Sequence, residues 1–195
     1  NQPVTITVNQ PVSAGLPNEP VELCEGVSLP LQLINFLTDA DPGGQWSETS
    51  VQPSLPGGFN SATGTFFTAG QPAGTYKFTY KLTGTPPCPD SKAEVTVKLL
   101  ALPIADAGEN KAINCDQTTV LLGGPNTSSG PGITYDWQTN GVSIGNTSQL
   151  FTGNAGTYTL TVSTVNGCSA SDAATVILDN QPPVAEKISV KNIRC

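Results

Sequence analysis

The 195-residue chain contains no histidine and no methionine, and only 12% of its residues are charged. Without histidine no Ser-His-Asp or Cys-His centre can be assembled, because such chemistry needs a tunable base within reach of the nucleophile. The same lack, together with the absence of any CxxC pair, removes the usual frames for zinc. The 8 lysines and arginines against 15 acids leave a formal charge of −7. That balance excludes nucleic acid as a partner, since neutralising phosphate requires basic clusters, and it argues against docking on anionic lipid. No stretch of 18 apolar residues occurs, so no membrane insertion through a helix is expected. Aromatic residues amount to 6%, too few for both a core and an extended sugar-stacking strip. The missing methionine fits an internal or processed segment. Paired carboxylates for glycoside hydrolysis exist formally, yet the acids are dispersed, and no catalytic residues are assigned. A non-enzymatic chain without an organic cofactor is expected.

What is present is repetition. Val4-Thr5-Ile6-Thr7-Val8 leads through Pro11 to Cys24, Val95-Thr96-Val97 through Pro103 to Cys115, and Thr175-Val176-Ile177-Leu178 through Pro182-Pro183 to Cys195. Each copy is a β-branched strand, a proline-marked connector and a later cysteine. A second motif recurs between the junctions: Ala73-Gly74-Thr75-Tyr76 opens a run ending at Cys88, and Ala155-Gly156-Thr157-Tyr158 one ending at Cys168. Cys88 to Val97 aligns without a gap on Cys168 to Ile177. Self-similarity at domain-sized spacing marks a tandem array. Two modules are expected, 11–101 and 102–181, with 1–10 the last strand of a preceding module and 182–195 the first strand of a following one.

The alternating runs Val4/Ile6/Val8, Tyr76/Phe78/Tyr80/Leu82, Val95/Val97/Leu99 and Tyr158/Leu160/Val162 have the period of half-buried strands. No capped 3.6-residue period runs for three turns, so an all-β fold with very little helix is predicted. Gly and Pro, at 20 and 17 residues, suit the many turns of a β-sandwich without reaching a disordered composition.

Of the five cysteines, Cys24 and Cys88 bracket the first module, and Cys115 and Cys168 the second. Four such cysteines allow three pairings. The duplicated positions favour one internal disulfide per module, Cys24–Cys88 and Cys115–Cys168, with Cys195 pairing outside the segment. Loops of 64 and 53 residues would then be closed, each worth roughly 4 kcal/mol in chain-entropy terms. Disulfides place the chain in an oxidising exterior. Trp46 and Trp137 lie at comparable early positions, and Tyr76 and Tyr158 each follow Gly-Thr at a strand start. A core tryptophan on an early strand and a tyrosine tying a strand corner are features of immunoglobulin-like sandwiches, and all four are expected in the core.

The Ala-Gly-Thr-Tyr run, Tyr135 with Trp137, and Ala105-Asp106-Ala107-Gly108 resemble PKD-type immunoglobulin-like modules. Leu37 to Trp46 and Cys88-Pro89-Asp90-Ser91 are similar to cysteine-bearing domains of very long Bacteroidetes surface proteins, a group that includes gliding-motility adhesins exported by the type IX system. The Trp-Asp-Phe-Gly-Asp-Gly loop of PKD modules is replaced here by Tyr135-Asp136-Trp137-Gln138-Thr139-Asn140. The resemblance implies two tandem β-sandwiches at a bacterial cell surface, partnered by neighbouring modules and by surface polysaccharide or other surface proteins.

A few groups outside the core invite a role. Asp39 and Asp41, in a Pro-Gly-Gly turn, and Asp106 at the module junction with Glu109 are candidate calcium ligands, although calcium wants six to eight oxygens. Asn126-Thr127-Ser128 and Asn146-Thr147-Ser148 match the glycosylation acceptor pattern at Asn126 and Asn146. Phe66, Phe67 and Phe151 offer apolar contacts, with alternation placing at least one of the Phe66/Phe67 pair in the core. The leading functional expectation is a structural and adhesive segment of a long extracellular array, stiffened at its joints by Pro11, Pro103 and Pro182-Pro183. The alternatives are a carbohydrate- or protein-binding module of a secreted hydrolase, and a filament subunit that self-associates when the Val4–Val8 strand completes a neighbour's sheet.

Overall fold

A computed structural model describes residues 9–180. The chain divides into two compact units, Asn1–Leu102 and Pro103–Cys195, called modules 1 and 2 below. The expectations placed on residues 1–8 and 182–195, Cys195 included, lie outside the described residues.

Module 1 runs through β1 (Leu16–Pro17), β2 (Val21–Cys24), β3 (Pro30–Gln32), a 3-10 turn (Leu33–Phe36), β4 (Leu37–Thr38), β5 (Gln45–Glu48), β6 (Phe59–Asn60), β7 (Thr65–Phe67), β8 (Gly74–Leu82) and β9 (Ser91–Leu100). One sheet has the order β2-β9-β8-β5, a second β3-β7-β6, and β1 with β4 forms a short ribbon. Module 2 contains β10 (Lys111–Ile113), β11 (Val120–Leu122), β12 (Ile133–Thr139), β13 (Val142–Gly145), β14 (Leu150–Thr152), β15 (Gly156–Thr164) and β16 (Ser169–Leu178). Its sheets have the orders β10-β16-β15-β12-β13 and β11-β14. No α-helix forms among the described residues. Two facing sheets with this crossing strand order make each module an immunoglobulin-like β-sandwich.

In both modules the first strand of the larger sheet runs parallel to the last. Val21 pairs with Val97 and Cys24 with Leu100 across β2 and β9; Lys111 pairs with Val176 and Ile113 with Leu178 across β10 and β16. The other pairings of the larger sheets are antiparallel. Alternation along β8 sends Tyr76, Phe78, Tyr80 and Leu82 inward, where they meet Val95, Val97 and Leu99 from β9 and Phe66 from the facing sheet. Along β15 the inward residues are Tyr158, Leu160 and Val162, packed with Trp137, Val120, Leu122, Ala174 and Val176. Complete burial of each such side chain contributes about 1.5–3 kcal/mol.

One sequence alignment does not survive in three dimensions. Gly74 pairs with Leu99, and Gly156 pairs with Val176. Counted from the shared Gly-Thr-Tyr, Leu99 therefore matches Val176, and Val97 matches Ala174. The gapless alignment on Cys88 and Cys168 instead sets Val97, fully buried, against Ile177, which is 58% exposed. The connection between β8 and β9 spans 83–90, whereas β15 and β16 are joined by 165–168. The extra residues of module 1 lie in that loop, and an odd shift along a strand exchanges its faces.

Candidate functional site

The cysteines correct the sequence expectation most sharply. Cys24 and Cys168 are disulfide-bonded, whereas Cys88 and Cys115 are free thiols. Neither expected internal bond, Cys24–Cys88 or Cys115–Cys168, therefore exists. The parallel pairing of first and last strands supplies the reason. Cys24 stands beside Leu100, the final residue of β9, while Cys88 lies just before Ser91, its first residue. Ten residues at about 3.3 Å each separate them by roughly 30 Å, and a disulfide needs α-carbons within about 7 Å. Module 2 repeats the geometry. Cys115 follows Ile113, which pairs with Leu178 at the end of β16, and Cys168 immediately precedes Ser169 at its start.

Each module thus has two cysteine-bearing poles. At the entrance pole, Asn9 Nδ2 donates to Pro86 O at 3.3 Å, and Cys88 Sγ lies 3.8 Å from Asn9 O. The matching end of module 2 is tied by Ile104 N donating to Ser128 Oγ at 2.9 Å and by the Tyr135 hydroxyl donating to Ser128 O at 3.0 Å. Cys168 is buried in the tight hairpin there, where its own N–H donates to Thr164 Oγ1 at 3.2 Å. At the exit pole, Glu25 N donates to Leu100 O at 2.7 Å in module 1, and Asp179 N donates to Ile113 O at 2.9 Å in module 2. Cys115 is exposed beside that second bond, and Cys88 is half-buried.

Trp46, Tyr76, Trp137 and Tyr158 are all buried. Trp46 lies against Tyr80 with ring centroids 4.8 Å apart, and Trp137 Nε1 donates to Thr147 O at 3.0 Å. The Tyr76 hydroxyl donates to Pro72 O at 2.7 Å and the Tyr158 hydroxyl to Asn154 O at 2.8 Å. Both bonds reach four residues back, the tie of a tyrosine corner. Burial, followed by the charges of Glu48 and Glu25, pushes the Tyr76 phenol up. The Trp46 and Trp137 positions are not equivalent. Trp46 pairs with Tyr80, but Trp137 pairs with Leu160, which matches Phe78.

The acidic candidates are engaged by backbone. Asp41 Oδ2 accepts from Ser13 N at 2.8 Å, and its carbonyl accepts from the Tyr80 hydroxyl at 2.8 Å. Asp39 sits exposed in the same turn at φ +57°. Asp106 accepts from Gly108 N at 3.0 Å and Asn126 N at 3.1 Å through its carboxylate, and from Gly124 N at 2.7 Å through its carbonyl. Gly124 is required there, since a Cβ would stand 2.0 Å from Asp106 Oδ1. Glu109 lines the shallow cleft beside it with Lys111. Among the described residues no three Cys, Asp or Glu side chains gather where they could hold a metal ion.

Asn126 and Asn146 are exposed, Asn126 on a turn after β11 and Asn146 in the connection between β13 and β14. Phe66 is buried, whereas Phe67 is 40% and Phe151 75% exposed. Phe151 pairs across the strands with Leu121, itself on the surface. Sequence reasoning missed this pair because Leu121 carries no signal until β11 is seen beside β14. Among the described residues no helix is long and apolar enough to cross a membrane.

No protein-family model matches the chain, and no curated protein matches it. Solved structures similar to it include the titin I-band fragment I67–I69, at 17% identity over 87% of this chain and 64% of that one, TM-score 0.34. The N-terminal four Ig domains of Dscam1 isoform 7.44 match at 15% identity over 92% and 48%, TM-score 0.38. Three N-terminal domains of the outer capsid protein Hoc of bacteriophage RB49 match at 18% identity over 72% and 50%, TM-score 0.33. The chain spans about half to two thirds of the length of these structures. The immunoglobulin-like assignment rests on the strand order within each module.

Proposed function

We propose that this chain is a structural and adhesive segment of a long tandem array on the outside of a bacterial cell, with no enzymatic step of its own. The observation that carries this reading is the duplication of one mechanical frame. Each module has its first strand parallel to its last, a tyrosine corner, and a cysteine at each pole. The third copy of the strand–proline–cysteine junction, ending at Cys195, supports further modules in the parent protein. A disulfide belongs to an oxidising exterior. The resemblance to gliding-motility adhesins supplies the surface and export route within this proposal. Adhesion would draw on exposed apolar faces such as Phe151 with Leu121.

The test is to treat intact cells of the source organism with a protease and to image the released polypeptide. A chain of many bead-like modules, detected by antibody to this segment and lost from shaved cells, is the expected result. Release only after lysis, or a particle of two modules, would overturn the reading.

A further inference from the structure

We propose that module 2 pairs edge to edge with a second copy of this chain through β13, joining two sheets into one across a two-fold axis at Ser143. β13 is the last strand of the five-stranded sheet, and nothing in Val142-Ser143-Ile144-Gly145 guards it. Edge strands are ordinarily blunted by lysine, by proline or by a charge on the core-facing side. Module 1 follows that rule. Its edge strand β5 carries Glu48 on the same face as Trp46. That carboxylate anchors the next loop, accepting from Ser50 Oγ at 2.9 Å and from Ser54 N at 2.7 Å. In module 2 the outermost strand instead presents Val142, 62% exposed, and Ile144, 43% exposed.

The backbone aims this edge outward. Asn140 and Gly141, both at positive φ, make a two-residue hairpin turn with Thr139 and Val142 as partners, followed by Gln138 and Ser143. Hydrogen-bonding direction alternates along an antiparallel strand, so the N–H and C=O of Ser143 face away from β12. An antiparallel copy centred on Ser143 receives both groups and sets Val142 of each copy opposite Ile144 of the other. The Ser143 hydroxyl donates to Asp136 on the outer face, so the two aliphatic side chains share the core-facing side.

Charge selects the occupant. The chain carries −7, and like-charged copies repel. Between Asp116 and Asp172 the sole charged residue is Asp136, and that span holds every strand from β11 to β15. Asp136 itself accepts from Ser143 Oγ and Gln138 Nε2. In the paired arrangement the two Asp136 carboxylates stand three strand spacings apart, about 14 Å, beyond the screening length of about 8 Å at physiological salt. Charge depletion around exposed apolar side chains is the composition of an interface centre. A neutral patch on an acidic chain is matched in charge by the same patch on another copy, and a two-fold pair closes on itself. A four-residue edge buries less than the roughly 1,200 Å² of a stable complex. Single chains therefore pair weakly, and arrays lying side by side gain through multivalency.

The test is sedimentation equilibrium of the 195-residue chain, its free thiols alkylated, up to about 1 mM. A monomer–dimer equilibrium is expected. Val142→Lys should weaken it about tenfold or more, because it brings two lysines into one short ribbon of contact. Ile144→Lys should do the same, whereas Val51→Lys, at a fully exposed site in module 1, should change nothing. Hydrogen exchange on the unaltered chain gives a second reading: the Ser143 amide should slow as concentration rises. A monomer at every concentration, a dimer indifferent to both β13 substitutions, or a monomer that instead binds dextran, a neutral glucan, would overturn the proposal. Those outcomes leave the array reading standing, since it is tested on the parent protein at the cell surface.

Discussion

Module 1 and module 2 share a frame and differ in filling. Tyr76, Phe78 and Tyr80 of β8 match Tyr158, Leu160 and Val162 of β15. Module 1 builds ring on ring: Phe66 lies 4.8 Å from Tyr76 and 5.0 Å from Phe78, and Phe59 lies 4.8 Å from Phe78. Module 2 fills the same space with aliphatic side chains around Trp137. The residue common to both is the tyrosine whose hydroxyl bonds four residues back. Bulk is exchangeable where hydrophobic volume suffices, while a polar tip that satisfies a buried carbonyl is not.

The sharpest way to break this comparison is to empty each core. Phe66→Ala should cost module 1 about 3–5 kcal/mol and Leu160→Ala should cost module 2 about 2–5 kcal/mol. In calorimetry each should lower one transition and leave the other in place; a shared shift would mean the cores are not separate.

Removing only the polar tip should cost less. Tyr76→Phe and Tyr158→Phe should each lose about 1 kcal/mol in denaturant unfolding. Tyr158→Phe should be the more harmful, because its hydroxyl also lies 2.6 Å from Thr152 Oγ1. Equal losses would show that the second contact contributes nothing.

The pH response should also separate the modules. Tyr76, with its pKa raised by burial, favours the folded state fully below the phenol's unfolded pKa of about 10 and loses that advantage as pH rises through the folded value. Asp136 is held below the usual carboxylate range by the Ser143 hydroxyl and then the Gln138 amide. Its contribution is present above the unfolded carboxyl pKa and disappears as pH falls through the folded one. The module 1 transition should therefore be the more alkali-sensitive, a dependence that Tyr76→Phe abolishes. The smallest expected effect is that of Glu22→Gln, which breaks the exposed 3.0 Å pair with Lys98, at about 0–1 kcal/mol.

The residues show where sequence reasoning succeeds. Strand periodicity identifies β8, β9 and β15, because alternation is local and each strand has one buried face. The Gly-Thr-Tyr corners are legible for the same reason. The cysteine pairing was not legible. Equal cysteine counts per module suggest a staple, but whether first and last strands run parallel is a long-range property that the sequence does not display, and it decides at which pole Cys24 and Cys115 stand. The gapless match from Cys88 failed for a related reason. A hairpin loop changes length at little cost, and Thr83 to Asp90 absorbed the difference while the strand faces stayed fixed.

The most direct measurement is alkylation of the native, folded 195-residue chain followed by non-reducing peptide mapping. The account expects Cys88 and Cys115 to be labelled as thiols, Cys24 and Cys168 to be protected until reduction, and both modules to keep their melting transitions in Cys88→Ser and Cys115→Ser variants to within about 0.5 kcal/mol. A peptide joining Cys24 to Cys88, or Cys115 to Cys168, would contradict the two-pole geometry from which the account is built.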